Sequence, residues 1–390
     1  MHLVEITDKK TARQFLDVAR LIYKNDRVWV CPLDRDINKI FNPAKNAFYN
    51  EGNAIRWILK DDRGTLIGRI GAFYNKKKAY LYKQPTGGAG FFECINDQKA
   101  ANLLFDAAKD WLIAQGMEAM DAPVNFGEND NFWGLLIEGF THPAYGMPYN
   151  HGYYQELFKN YGFKPYFTQT TRHLDLTVPL PERFLKIAEW VNNRGGFTFR
   201  HFTYKEADKF IHDLKEVYDQ AWAMHEHFIP LDLEVAMREL ESARPILQED
   251  FIWFVYHENK PVAFYIMFAD INMILRHFNG KLHLWNKLLF LYYKNTKEIT
   301  RIRQTMMGVI PQFQGKGIES AIFWHLREPL LNKRPHITEM ELSWVGDFNP
   351  KMMAIQEAVN AKPGKIHITF RKLFKDDAEV EYASQIPLKR

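Results

Sequence analysis

The residues best suited to chemistry lie at Gln312-Phe-Gln-Gly-Lys-Gly317, between an apolar run ending at Pro311 and a helix-patterned run beginning at Ile318. Where a strand stops, a glycine turn follows and a helix starts, several backbone N–H groups lack carbonyl partners and point at one place. The helix dipole adds partial positive charge there, so a phosphate or pyrophosphate is the expected guest. Gly315 and Gly317 let an anion reach the backbone without Cβ obstruction, and Lys316 adds a mobile cation. The spacing Q-x-x-G-x-G matches neither common nucleotide loop. There is no G-x-x-x-x-G-K-[ST], and a dinucleotide fingerprint needs a further glycine and an acidic partner. The plain alternative is a strand-to-helix turn that holds nothing.

A second polar group lies on Glu339-Met-Glu-Leu-Ser-Trp344. Strand alternation puts Glu339, Glu341 and Ser343 on one face and Met340, Leu342 and Trp344 on the other. Glu341, with Ser343 beside it, is a candidate catalytic pair; the alternative is a solvent-facing strand edge. His225-Glu-His227 sets two imidazoles close together, but no third ligand accompanies them, so no metal is expected. The stretch Met273–Glu298 carries Leu284, Leu288, Leu291 and Tyr292 on one helical face, widened by Trp285, Leu289 and Phe290. Arg276, Lys281, Lys287, Lys294 and Lys297 add positive charge. Such a helix either meets an anionic membrane or acyl chain, or packs between lobes or into a dimer.

The elements that position these residues occur in the same order twice. A short strand and a helix (12–23; 207–222) lead into a hairpin (55–73; 251–268). A strand (89–95; 305–310), a helix (100–113; 318–331) and another strand (119–124; 339–345) follow. Segments opening at Asn150 and Asn349 then carry about four helical turns each and return to strands at 170–176 and 366–373. Pro179 and Pro181 break regular structure, so the expected domains are 1–178 and 179–390. The fold class is mixed α/β, two similar units, each a mostly antiparallel sheet flanked by helices.

Composition narrows the function. The chain has 390 residues, 46% hydrophobic and 25% charged, with a net charge of +4. That balance suits a globular enzyme and not a nucleic-acid binder. Two cysteines in no paired motif fit a reducing compartment. No signal core and no run of about 20 apolar residues occurs, so a cytoplasmic location is expected.

At Gln312, Gly315 and Gly317 the sequence resembles the GNAT superfamily of acyl-CoA N-acyltransferases, whose pyrophosphate loop reads [Q/R]-x-x-G-x-[G/A]. Gly308-Val-Ile-Pro is similar to that superfamily's splayed fourth strand, and Asn349 sits where many members start a helix with asparagine. The resemblance covers roughly residues 197–374. It implies acetyl-CoA or another acyl-CoA as co-substrate, held by Met307, Gly308, Val309, Gln312, Gln314, Gly315, Lys316, Gly317, Ile318 and Asn349. It also implies carbonyl polarisation by the N–H near Val309, an amine acceptor, and acceptor contact at His225 and His227. Many members protonate the leaving thiolate with a tyrosine; here that place is Gln356, which cannot be an acid. In the first copy, Ile95-Asn-Asp-Gln-Lys-Ala-Ala replaces the glycine loop, and Asp97 would repel phosphate. That copy is read as a lobe that has lost CoA binding and shapes the acceptor pocket. The other readings are a non-catalytic acyl-CoA sensor and a tandem-lobed transferase using aminoacyl-tRNA.

Overall fold

Of the chain, the computed structural model describes residues 1–127, 131–223, 228, 230–327, 330, 332–375 and 379–383. The first half begins with β1 (His2–Glu5), α1 (Lys9–Ile22), α2 (Asp34–Ile40), β2 (Gly52–Lys60), β3 (Leu66–Asn75) and α3 (Lys76–Ala79). It continues with β4 (Thr86–Cys94), α4 (Gln98–Ala114), β5 (Ala119–Ala122), β6 (Leu135–Glu138), α5 (Tyr154–Tyr161) and β7 (Lys164–Asp175). The second half begins with α6 (Glu182–Asn193), β8 (Phe197–His201), α7 (Ala207–Trp222), α8 (Leu233–Ala243), β9 (Ile252–His257) and β10 (Lys260–Ala269). After α9 (Asn272–Leu275) and α10 (Leu284–Asn295) come β11 (Arg301–Val309), α11 (Ile318–Arg327), β12 (Glu339–Glu341), β13 (Val345–Gly346), α12 (Pro350–Ala358) and β14 (Lys362–Leu373).

Local chemistry sets many of these boundaries. Asp8 caps α1, its Oδ1 accepting the Thr11 N–H at 2.7 Å, and the helix buries Phe15, Leu16, Val18 and Ala19. The β9–β10 hairpin turns on Glu258 and Asn259, both at left-handed φ, as a two-residue hairpin turn of right-twisted strands requires. The helices after Asn150 and Asn349 are shorter than the four turns expected: α5 has 8 residues and α12 has 9. α5 stops at Gly162, whose φ of +95° ends the helix.

All strands join one sheet in the order β1-β2-β3-β4-β5-β14-β7-β12-β11-β10-β9-β8, with β6 on β14 and β13 on β7. Pairing is antiparallel throughout the described strands except for β4–β5 and β11–β12. The two halves have therefore exchanged their closing strands. β14 lies against β5 of the first half, pairing Phe370 with Ala122, while β7 lies against β12 of the second, pairing Leu174 with Met340. The cores follow the exchange. Ile368 and Phe370 of β14 pack with Phe92, Phe105 and Phe158, whereas Leu174 of β7 packs with Ile302 and Met340. Burial of these apolar side chains across the exchange ties residues 1–178 to residues 179–390 through the middle of the sheet.

Candidate active site

The site begins where two strands part. β11 and β12 run parallel only at Arg301↔Glu339, Ile302↔Met340 and Arg303↔Glu341. Beyond Arg303 the inner edge of β11 has no strand partner among the described residues, and a fork opens. The Gln304 side chain spans its root: Oε1 accepts from Ser343 N at 2.9 Å and from Ser343 Oγ at 3.2 Å. On the other arm, Gln356 Nε2 donates to Ser343 O at 3.0 Å. Gln356 thus braces the fork from α12. The Tyr382 hydroxyl donates to Asp347 Oδ2 on the same arm at 2.6 Å.

Backbone donors line the β11 arm. Ile310 N–H donates to Val262 O on β10, so by strand alternation the Val309 and Met307 N–H groups face the fork. The Val309 carbonyl is taken by Gln314 Nε2 at 3.0 Å, which ties the start of the glycine turn to the end of the strand. Gly308 packs beneath Trp222 and Phe264, so a side chain there would collide with both.

The glycine turn follows at the fork's mouth. Gly315 and Gly317 have φ of +70° and +81°, which side chains resist. Their surroundings differ. A Cβ on Gly315 would meet nothing within 4 Å among the described residues, so that glycine keeps the approach open. A Cβ on Gly317 would collide with Ile187 of α6, so that glycine permits close helix packing. Within α11 the first backbone bond is Ala321 N–H to Gly317 O at 3.1 Å. The Gly317, Ile318 and Ser320 N–H groups have no carbonyl partner among the described residues, which suits an anion. Gln312 and Lys316 are exposed beside them, with Lys316 Nζ resting 4.9 Å over the Phe313 ring.

Glu319 complicates this picture. It is buried in the first turn of α11, and burial raises its carboxyl above the usual range against a bond to its own N–H. Asn349 is an N-cap: its Oδ1 accepts from Met352 N at 3.2 Å. The residues present accommodate a pyrophosphate at Gly315–Ser320 and a pantetheine arm along Met307–Val309.

On the opposite side of the fork from α11, the sheet carries a buried polar face. Arg301 and Arg303 (β11), Glu341 (β12), Thr171 and Gln169 (β7), and Lys365 and His367 (β14) share it by register. Glu341 is buried and pairs with Lys365 Nζ at 3.0 Å; Arg301 Nη1 stands 4.0 Å away, itself held to Asp270 at 2.7 Å. Glu341 Oε1, Gln169 Nε2, Thr171 Oγ1 and His367 Nδ1 are buried without a hydrogen-bond partner among the described residues. His367 Nε2 faces Pro148 O at 3.3 Å and therefore carries the ring proton. Burial drives its pKa down to about 3, so the ring is neutral. Glu341 and Ser343 do not share a face as one strand: β12 stops at Glu341, and Ser343 turns to Gln304.

A loop from the first half covers this face. Arg303 Nη1 donates to Tyr145 O and stacks 4.9 Å from the Trp133 ring; Arg301 Nη1 donates to His142 O. Gly134, at φ +61°, lies against Gln169 and His367, where a side chain would not fit. Residues 131–148, Lys365 and His367 thus belong to the site, and sequence reading passed over them. The one available signal was alternation in 365–371, where Lys365, His367, Thr369 and Arg371 recur at period two. His225 and His227 lie outside the described residues.

The matching fork in the first half is shut. β4 and β5 part after Gly88↔Asp121, but Val124 N–H then donates to Ala89 O at 2.9 Å and the chain follows β4. At the strand's end, Cys94 N–H donates to Tyr154 Oη at 3.0 Å and Cys94 O accepts from Tyr153 Oη at 2.7 Å. Tyr154 and Tyr23 both donate to the buried Glu93. The α4 start is occupied as well: Asp97 caps it, accepting the Ala100 N–H at 3.0 Å.

This arrangement is the fold of the GNAT N-acetyltransferases, built in tandem. A tandem GNAT protein from the clavulanic acid biosynthesis pathway superposes with a TM-score of 0.56 at 12% identity, over 97% of this chain and 99% of that one. A GCN5-related N-acetyltransferase from Sphaerobacter thermophilus gives 0.52 at 10% identity, over 97% of each chain. In sequence, the chain is 25% identical over 376 residues to Protein YghO of Escherichia coli (strain K12), covering 94% of this chain and 93% of the relative. It is 24% identical over 384 residues to the bacterial ceramide synthase of Caulobacter vibrioides (strain NA1000 / CB15N), covering 95% and 97%. No family model matches the sequence.

Proposed function

We propose that this protein is an acyl-CoA-dependent N-acyltransferase whose acceptor is the amine of a lipid, a long-chain amino alcohol being the favoured class. The observation that carries the donor side is the β11–β12 fork, which ends on a bare helix start beside an open Gly315. The acceptor class draws on the ceramide synthase relative, because a ceramide is an amide of a fatty acid with a long-chain amino alcohol.

The chain's residues would then divide the work as follows. The first turn of α11 binds the pyrophosphate, and the Met307 and Val309 N–H groups orient the thioester arm, Val309 facing its carbonyl. The amine nitrogen attacks the thioester carbon; the C–N bond forms as the C–S bond breaks. Glu341 Oε1 receives the amine's proton, held in place by Lys365 on its other oxygen. The departing thiolate takes a proton from solvent, since Gln356 offers none. The loop 131–148 of the first lobe, which keeps no open donor fork of its own, covers the acceptor side and excludes water.

Release of free CoA thiol, followed with a panel of amines and acyl-CoA chain lengths, tests this reading. Turnover is expected with a long-chain amino alcohol and not with a short polyamine. Acyl-CoA binding without thiol release for any amine would make the protein a sensor. Transfer from aminoacyl-tRNA without CoA binding would refute the assignment of the glycine turn.

A further inference from the structure

The helix α10 has two faces, and only one is accounted for by the fold. Leu289, Phe290 and Tyr293 pack inward on the cluster formed by Val30, Leu33, Ile271, Ile274, Leu275 and Phe278. Leu284, Trp285, Leu288, Leu291 and Tyr292 point outward, and each is more than half exposed, Leu284 at 76% and Trp285 and Tyr292 at 64%. At about 100° per residue the five exposed side chains fill an arc of roughly 120°, opposite the packed three. No helix of the described residues is long and apolar enough to cross a membrane.

We infer that α10 is a docking helix that seats the protein on the surface of an anionic lipid bilayer. Charge selects this occupant. Lys281, Lys287, Lys294 and Lys297 are all exposed around the apolar stripe, and Leu284–Asn295 contains no carboxylate. The nearby Glu298 is neutralised by Arg276 at 2.6 Å. Lys287 falls on one border of the stripe by the same helical geometry, where phosphate headgroups meet a helix lying in the interface. Trp285 and Tyr292 are the side chains that settle at such an interface. A second copy of this chain fits poorly, because a twofold contact through α10 would face lysine with lysine.

The helix is also tied to its surroundings by hydrogen bonds. His283 caps it, Asn286 Nδ2 donates to Lys281 O at 2.8 Å, and Lys294 Nζ donates to Pro245 O at 2.7 Å. Its platform reaches the candidate active site. Ile271 and Asn272 follow Asp270, which accepts the Tyr145 N–H at 2.9 Å and holds Arg301 beside Glu341. Docking through α10 would therefore bring the covered polar face to within one hairpin end of the bilayer. The inference does not depend on acyl transfer and stands or falls on lipid binding.

The test is flotation of the full chain with vesicles of phosphatidylcholine, with and without phosphatidylglycerol. Binding is expected only with phosphatidylglycerol, weakening about fivefold for each of Lys287→Gln and Lys297→Gln and falling with added salt. Leu288→Ser and Leu291→Ser should each weaken it on the order of tenfold while leaving thermal stability unchanged, because both side chains are already exposed. Brominated acyl chains should quench the wild type more than Trp285→Phe. Failure of the wild type to float would overturn the inference, as would unchanged binding by the leucine and lysine variants. So would a concentration-dependent dimer, seen by light scattering, that the leucine substitutions abolish.

Discussion

Replacing Gly315 by glutamate, and separately by glutamine, gives a sharp test of the glycine turn. Any side chain at φ +70° costs about 1–2 kcal/mol of backbone strain, and both variants share that cost. Both start from a Cβ that finds nothing within 4 Å among the described residues, and the two side chains have nearly the same shape. The pair therefore differs by one negative charge beside the expected pyrophosphate. At a separation of about 5 Å and an effective dielectric near 20, two unit charges repel by roughly 3 kcal/mol. Gly315 is exposed, so screening reduces this, and a loss of one to two orders of magnitude in CoA affinity is expected for glutamate relative to glutamine. Calorimetric titration with CoA at low and high salt measures it, with the two melting temperatures as a control on folding. The gap should narrow as salt rises. Equal affinities for the two variants would mean that no phosphate lies at the turn, and the donor assignment would fail with it.

Glu341→Gln strands the Lys365 charge in the interior and should cost about 3–5 kcal/mol of stability, most of it recovered in Glu341→Gln/Lys365→Met. If Glu341 takes the amine's proton, the double variant still loses roughly 10²–10⁴ in kcat; regained turnover would reduce the pair to scaffolding. Glu319, raised by burial above its ordinary 4.5, gives stability that is full below pH 4.5 and lost as pH climbs through its folded pKa. Glu319→Gln should therefore match the wild type in acid and melt higher at neutral pH, with tighter CoA binding; parallel melting curves across pH would contradict this. Tyr154→Phe removes a bond to the buried Glu93 and should cost about 1.5–3 kcal/mol without changing CoA affinity, which equilibrium unfolding and calorimetry together check.

Much of this architecture is legible from local pattern. The repeated order of strand, helix and hairpin follows from periodicity and turn residues, and the 312–317 turn follows from glycine spacing. The outward stripe of α10 carries Leu284, Trp285, Leu288, Leu291 and Tyr292 as helical spacing suggests, but Leu289 and Phe290, expected to widen it, lie on the other side of the helix and pack inward. Two features are not local and escape such reading. Strand exchange leaves no mark, because 164–175 and 362–373 are similar strands and nothing in either says which neighbour it will choose. The polar side chains at 365, 367, 369 and 371 alternate as a solvent-facing edge would, yet all four are buried on partners far away in the chain, from Glu341 and Pro148 to Gln169 and Asp121.

The exchanged strands also dictate an order of events during synthesis. Arg371 meets Asp121 across 250 residues of chain, so β5 waits with a bare edge while the entire second half is made. Contacts of such range close slowly, and an unpaired edge meanwhile recruits foreign strands. Chaperone dependence would thus concentrate in the portion of the molecule that emerges first. A translation stop near residue 360 would cripple the lobe already synthesised, by withholding the strand that completes its sheet.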